Sequence, residues 1–141
     1  MTTTEPCPSC GKFVKHRISV EECADRQMSE RTLQDRVVSR AKRRHWKVAH
    51  AGRGWVGDSE TGMWVTPMSP GWPDLTLAKP GHALVFMELK KEQAEPTPEQ
   101  VEWLQLLNLT GNYAIVIRPS DLREKRVNII LNQGAPLVER S

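Results

Sequence analysis

Apolar positions along the chain change period several times, and each change marks an element. After Ser29, a good N-cap, Leu33, Val37, Val38 and Ala41 recur at helical spacing, so a helix is expected down to about Arg44. Residues 46–50 read as a strand. Residues 51–70 are dominated by Gly, Ser, Thr and Asp with Trp55, Met63 and Trp64 embedded, the pattern of a long loop or a loose hairpin. Two strands follow, 72–78 and 83–90, with Lys79-Pro80-Gly81-His82 as the turn between them. The second is apolar on both faces, which suits a central position in a sheet. Thr97-Pro98-Glu99-Gln100 supplies an N-cap, a proline at the first helical position and a capping-box glutamine; Val101, Leu104 and Leu107 mark the buried face and Gly111 the end. The apolar run at residues 113–117 predicts a buried strand, and Pro119-Ser120-Asp121 opens a short helical turn before 127–131. Helix, three strands, helix, strand is an α/β (α+β) order, with a mixed sheet flanked by helices.

With 141 residues, the chain has room for one domain and a short appendage. Residues 1–28, rich in Cys, Pro, Thr and charge, lack a sustained apolar period and read as that appendage; 29–131 read as the domain and 132–141 as a tail. No basic start precedes an apolar run, and no segment approaches bilayer-spanning length, so a soluble cytoplasmic protein with no membrane partner is expected.

Three cysteines, two of them in Cys7-Pro8-Ser9-Cys10, favour metal ligands or free thiols over a disulfide framework. Cys7 and Cys10, followed by Gly11, are similar to a zinc knuckle but supply half of a tetrahedral site. His16 and Cys23 can complete it. The spacing C-x₂-C-x₅-H-x₆-C is irregular, so a structural Zn²⁺, a metal shared across a dimer and free thiols stay open, with zinc the expectation.

The formal charge of +3 is modest, but Arg31, Arg36, Arg40, Lys42, Arg43, Arg44, Lys47 and Arg53 stand against Asp35 alone. Such a segment suits a polyanion partner; taken alone, a solvated helix face accounts for it equally well. Gly52-Arg53-Gly54-Trp55-Val56-Gly57 spells a dinucleotide-binding signature, yet residues 58–62 cannot form the helix it requires. Arg53, Trp55 and Trp64 mix a cation with aromatics able to meet phosphates and unpaired bases, although tryptophans more often fill cores. His45 and His50 have no partner at metal or triad spacing and read as surface or packing residues.

The chemistry concentrates in the predicted hairpin. If its loop has odd length and is centred on Gly81, Asp74 and Glu88 lie seven residues to either side and face each other. Directly opposed β-carbons are about 4.5–5.5 Å apart, so the two charges repel unless a cation offsets them. A two-residue Pro80-Gly81 turn would instead send Asp74 to the other face. Lys90, two residues past Glu88, shares its face. Carboxylate oxygens suit Mg²⁺ or Mn²⁺, which also bind phosphate oxygens. The bland alternative makes Asp74 a turn residue and Glu88 and Lys90 surface residues of an edge strand; the apolar Leu84, Val85, Phe86, Met87 and Leu89 weigh against it.

Ser69-Pro70-Gly71-Trp72-Pro73-Asp74-Leu75, then Phe86-Met87-Glu88-Leu89-Lys90, then Thr97-Pro98-Glu99-Gln100 with Trp103-Leu104 resembles the VRR-NUC branch of the PD-(D/E)xK nucleases over about residues 29–131. The resemblance implies a restriction-endonuclease-like fold, Asp74 and Glu88 as metal ligands with the Leu89 carbonyl as a third, and Lys90 as the catalytic lysine. It also matches Glu30 to an acidic position on the first helix, with Gln34 one turn later, and Gln100 to a glutamine after the lysine strand, where the capping box is an equal explanation. Short free-standing members resemble phage nucleases of DNA repair and recombination that cut branched DNA such as Holliday junctions, often as homodimers. A Mg²⁺- or Mn²⁺-dependent endodeoxyribonuclease is therefore expected, in the host cytoplasm if of phage origin, with DNA contacts from Gln34, Arg40, Arg43, Arg44, Arg53 and Trp55. The alternative is a non-catalytic DNA-binding module or accessory subunit using the basic helix and zinc knuckle.

Overall fold

The structure, a computed structural model, describes residues 6–12, 18–52, 54–65 and 68–134. Its elements are α1 (Val20–Gln27), α2 (Glu30–Arg43), β1 (Lys47–His50), β2 (Gly54–Val56), β3 (Met63–Val65), β4 (Leu75–Ala78), β5 (Val85–Leu89), α3 (Pro98–Leu109), β6 (Tyr113–Ile117), α4 (Pro119–Arg123) and α5 (Arg126–Gln133). Two of these were not anticipated: α1 lies within the expected appendage, and α5 runs through 127–131 and on to Gln133. Residues 51–70 hold the β2–β3 pair, the hairpin alternative of the sequence reading.

The expected mixed sheet is present, with strand order β1-β4-β5-β6. β1, β4 and β5 are mutually antiparallel, and β6 joins β5 in parallel across the α3 connection. β5 is central and every one of its residues is buried. Pleating sends Val85, Met87 and Leu89 to one face, where Leu33, Val37 and Ala41 of α2 and Val127 and Leu131 of α5 complete the main core. On the opposite face Phe86 packs with Leu104 and Leu107 of α3 and Ala114 of β6. On β4 burial alternates, Leu75 and Leu77 being fully buried and Ala78 exposed, so the α3-side face of this strand stays partly open.

The Ser29 side chain accepts from the Thr32 amide at 3.1 Å, capping α2 as expected. At its far end His45 takes a left-handed φ of +67°, and its amide and that of Trp46 donate to Lys42 and Ala41. This is a Schellman closure with histidine where glycine is usual. The cations of the last turn, Arg40, Lys42 and Arg43, sit where the helix dipole favours them, whatever else they do.

Candidate active site

The β4–β5 register is Leu75↔Met87, Thr76↔Phe86 and Leu77↔Val85, each pair symmetric about Gly81. Extending that register by one residue puts Asp74 opposite Glu88, and the Asp74 charge does act on the Glu88 carboxyl. A β-turn closed by the His82 amide on the Lys79 carbonyl at 3.1 Å lies inside this odd loop, with Gly81 at φ +81°. Pro80 and Gly81 thus form the centre of a β-turn, but that turn does not set the strand register: the ladder is symmetric about Gly81, so the pairing that would have separated the carboxylates is not formed.

Asp74 is held from both sides. Its carbonyl accepts from the Ala51 amide at 2.9 Å, and its side-chain Oδ2 accepts from the Leu89 amide at 2.8 Å. The preceding turn is pressed onto the start of α3: the Trp72 amide donates to Ser69, and Trp103 Nε1 donates to the Pro70 carbonyl at 3.1 Å. Gly71, at φ +85°, lies so close to α3 that a Cβ there would be 2.6 Å from the Glu99 carbonyl carbon. Only glycine satisfies both constraints. Trp72 completes the seal, edge-on to Phe86 and Trp103 at ring separations of 5.6 and 4.9 Å.

Glu88 is 2% exposed. Its Oε1 accepts from Gln100 Nε2 at 2.8 Å, whereas Oε2 is buried with no donor among the described residues. Burial first, then the charge of Asp74 and a hydrogen bond shared with it, push Glu88 up to about 8; Lys90 pulls the other way and Glu30 adds to the rise. With both carboxylates ionised, Oε2 calls for a cation or a hydrogen-bond donor; with one protonated, a proton can bridge the pair. The donor set therefore fits a hard divalent cation: two facing carboxylates, one with an oxygen that lacks a partner.

Gln100 resolves what the sequence posed as a choice. Its Oε1 accepts from the Thr97 amide at 2.8 Å in a complete capping box, and its Nε2 holds Glu88. One amide serves both.

A cleft of about 440 Å³ opens beside Asp74 and Leu89 and is closed by the first turns of α2 through Glu30, Arg31, Gln34 and Asp35. Glu30 and Gln34 thus reach the same cavity as Asp74, and Lys90 lies half-buried at the end of β5, its amide donating to the Ile117 carbonyl at 3.0 Å. Arg31 and Asp35 were missed as site residues. The signal was the helical repeat itself: they stand one position after Glu30 and Gln34 with the same four-residue spacing.

In comparisons with known proteins, no family model, no curated protein and no solved structure matches the chain. What the site can do therefore rests on its own geometry.

The residues expected to contact DNA divide. Gln34 lines the cleft. Arg40, Arg43 and Arg44 lie at the other end of α2, roughly 15–20 Å along the axis from Glu30 at 1.5 Å per residue. Arg40 Nη1 reaches the Leu122 carbonyl at 3.5 Å, Arg44 Nε donates to Asn132 Oδ1 at 2.6 Å, and Arg43 Nη2 meets Ser39 Oγ at 3.2 Å. Burial and the neighbouring arginines lower the pKa of Arg40. Trp55 pairs with Trp64 in the β2–β3 ladder. Arg53 lies outside the described residues. His45 and His50 are exposed, in keeping with surface roles.

Apart from the cleft, the thiols of Cys7, Cys10 and Cys23 converge, all three Sγ atoms lying within 4.8 Å of one another. They form a set able to bind a metal ion. His16, the fourth residue expected there, lies outside the described residues. No helix of the described residues is long and apolar enough to cross a membrane.

Proposed function

We propose that this chain is a Mg²⁺- or Mn²⁺-dependent DNA endonuclease with a restriction-endonuclease-like core. The observation that carries this is the pair formed by Asp74 and the buried Glu88, whose Oε2 has no donor, with the charge of Lys90 beside it. Buried like charges are costly without a partner, and a divalent cation is the partner that gives the arrangement a use. The order α2, β1, β4, β5, α3, β6 around a mixed sheet supports the fold assignment.

Asp74, Glu88 and the Leu89 carbonyl would hold the cation, which supplies an acidified water and screening of the phosphate. The remaining work falls to the protein. Gln100 fixes the orientation of the Glu88 carboxylate, and the Leu89 amide fixes that of Asp74. The Lys90 ammonium orients the attacking water or stabilises negative charge developing on the phosphate. Arg31, on the cleft wall, offers a guanidinium to a phosphate oxygen. Glu30 and Asp35 add acids to the cleft that Asp74 lines. Branched DNA as substrate, a phage setting and a two-fold dimer suited to a symmetric junction belong to the proposal through the family resemblance. A purely DNA-binding role has less support, because Arg40 and Arg44 are hydrogen-bonded to their own chain.

A cleavage panel over branched, flapped, single-stranded and duplex DNA, with and without Mg²⁺ or Mn²⁺, tests the proposal. Metal-dependent cutting is expected, abolished in Glu88→Ala and Lys90→Ala while folding and DNA binding persist. DNA that is bound yet left intact in every metal-loaded reaction would refute it.

A further inference from the structure

We propose that Cys7, Cys10 and Cys23 hold a structural Zn²⁺ ion that fastens the N-terminal turn to α1, in a site separate from the acidic cleft. Tetrahedral zinc with Zn–S bonds of about 2.3 Å needs sulfur atoms about 3.8 Å apart. Cys7 Sγ and Cys23 Sγ are 4.0 Å apart, and Cys10 Sγ lies within 4.8 Å of both. The three thiols come from two unrelated pieces of backbone. Cys7 and Cys10 sit on a turn closed by the Gly11 amide on the Cys7 carbonyl at 2.8 Å and the Cys7 amide on the Lys12 carbonyl at 2.9 Å. Cys23 projects from α1, one turn after its Ser19 cap.

Among the described residues, the turn brings no hydrophobic anchor of its own. Residues 6–12 read Pro-Cys-Pro-Ser-Cys-Gly-Lys and offer no large apolar side chain, so the ordering entropy of the turn has no hydrophobic burial to offset it. Cys23 is the one buried apolar residue of α1. Short segments without a core are held by disulfides or metals, and a 4.0 Å separation is not a disulfide bond. Thiolates select zinc, while the carboxylates of the cleft select Mg²⁺ or Mn²⁺, so the two sites sort metals by ligand softness. The fourth position falls to a donor other than these thiols. On its other flank α1 is tied to the domain by buried Asp25, which accepts from Arg123 Nε of α4 at 2.7 Å. Zinc thus fixes the turn to α1, and the ion pair fixes α1 to α4.

The test uses the full chain, purified under reducing conditions and supplied with Zn²⁺. Elemental mass spectrometry should find one zinc per chain, lost in a Cys7→Ser/Cys10→Ser double variant and kept in Glu88→Ala. In the unaltered protein, alkylation of the thiols by iodoacetamide should be slow, accelerate at least tenfold after chelation and slow again when Zn²⁺ is returned. Absence of zinc in the supplied protein, retention by the double variant, loss from Glu88→Ala, or alkylation indifferent to chelation would each overturn the proposal. None of these readouts depends on cleavage, so the nuclease proposal stands or falls separately.

Discussion

Gln100 donates from Nε2 to Glu88 Oε1 at 2.8 Å while its own Oε1 accepts from the Thr97 amide at 2.8 Å, so the N-terminus of α3 and the buried carboxylate share one side chain. The helix cap is what orients the amide, and the amide is what orients the acid. A side chain with two such bonds has little rotational freedom left, which is the condition a metal ligand's supporting partner must meet.

Gln100→Ala should therefore fail in two measurable ways. Loss of the capping-box bond should lower stability by about 1 kcal/mol in denaturant titrations. Loss of the donor on Glu88 should weaken Mn²⁺ binding, read by calorimetry, by about 10- to 100-fold, the range typical for partners of metal ligands. Gln100→Glu separates the effects: it keeps the acceptor for Thr97 and the cap, but sets a carboxylate against Glu88. Stability near that of the unaltered protein with Mn²⁺ affinity lost is the expected result.

Glu88, pushed up to about 8 by burial and by Asp74, makes the metal-free protein sensitive to pH in an unusual direction. Between the ordinary carboxylate value near 4.5 and about 8, the unfolded chain has released this proton and the folded chain has not. The native state then binds more protons, so stability falls as pH rises through that window, with the full loss reached above about 8. Thermal denaturation without metal should show the decline, and Glu88→Gln should remove it. Mn²⁺ competes with the same proton, so its affinity should rise with pH over the same window and level off above it.

Gly71→Ala should displace Asp74 without touching it. A Cβ would meet the Glu99 backbone at 2.6 Å in a conformation with φ +85° that other residues avoid. The strain is of order 1–3 kcal/mol, and the turn must lift from α3 to relieve it. Asp74 is three residues on. Unfolding should become easier by that amount, and Mn²⁺ affinity should fall although no ligand has changed; affinity that stays level would mean the turn does not position Asp74.

How much of this was legible in the sequence follows from how local each cause is. The facing of Asp74 and Glu88 could be read because register is fixed by a loop symmetric about Gly81, and the cap of α3 because Thr97, Pro98 and Gln100 are adjacent. The helix α1 could not: its buried residues are Cys23 and Asp25, which form no apolar stripe. Its position depends on side chains distant in the chain, Cys7 and Arg123. The sequence counted Arg31 into a basic run and Asp35 as its lone offset. That α2 lies along the sheet with its first turns at the cleft, bringing both to it and carrying Arg40 and Arg44 away from it, is a tertiary fact with no trace in the helix itself.

Lys90 lends itself to a test that separates charge from chemistry. Its ammonium opposes the rise in the pKa of Glu88. Removing it in Lys90→Ala should push Glu88 further up and move the pH dependence of Mn²⁺ binding to higher pH. Lys90→Arg keeps the charge and should leave that profile close to the original. If Lys90 only tuned Glu88, cleavage would survive in the arginine variant and would be recovered in the alanine variant by raising pH. The proposed role at the attacking water predicts neither: a planar guanidinium cannot replace a compact ammonium there, so Lys90→Arg should bind metal normally yet cut slowly, and Lys90→Ala should stay inactive at every pH.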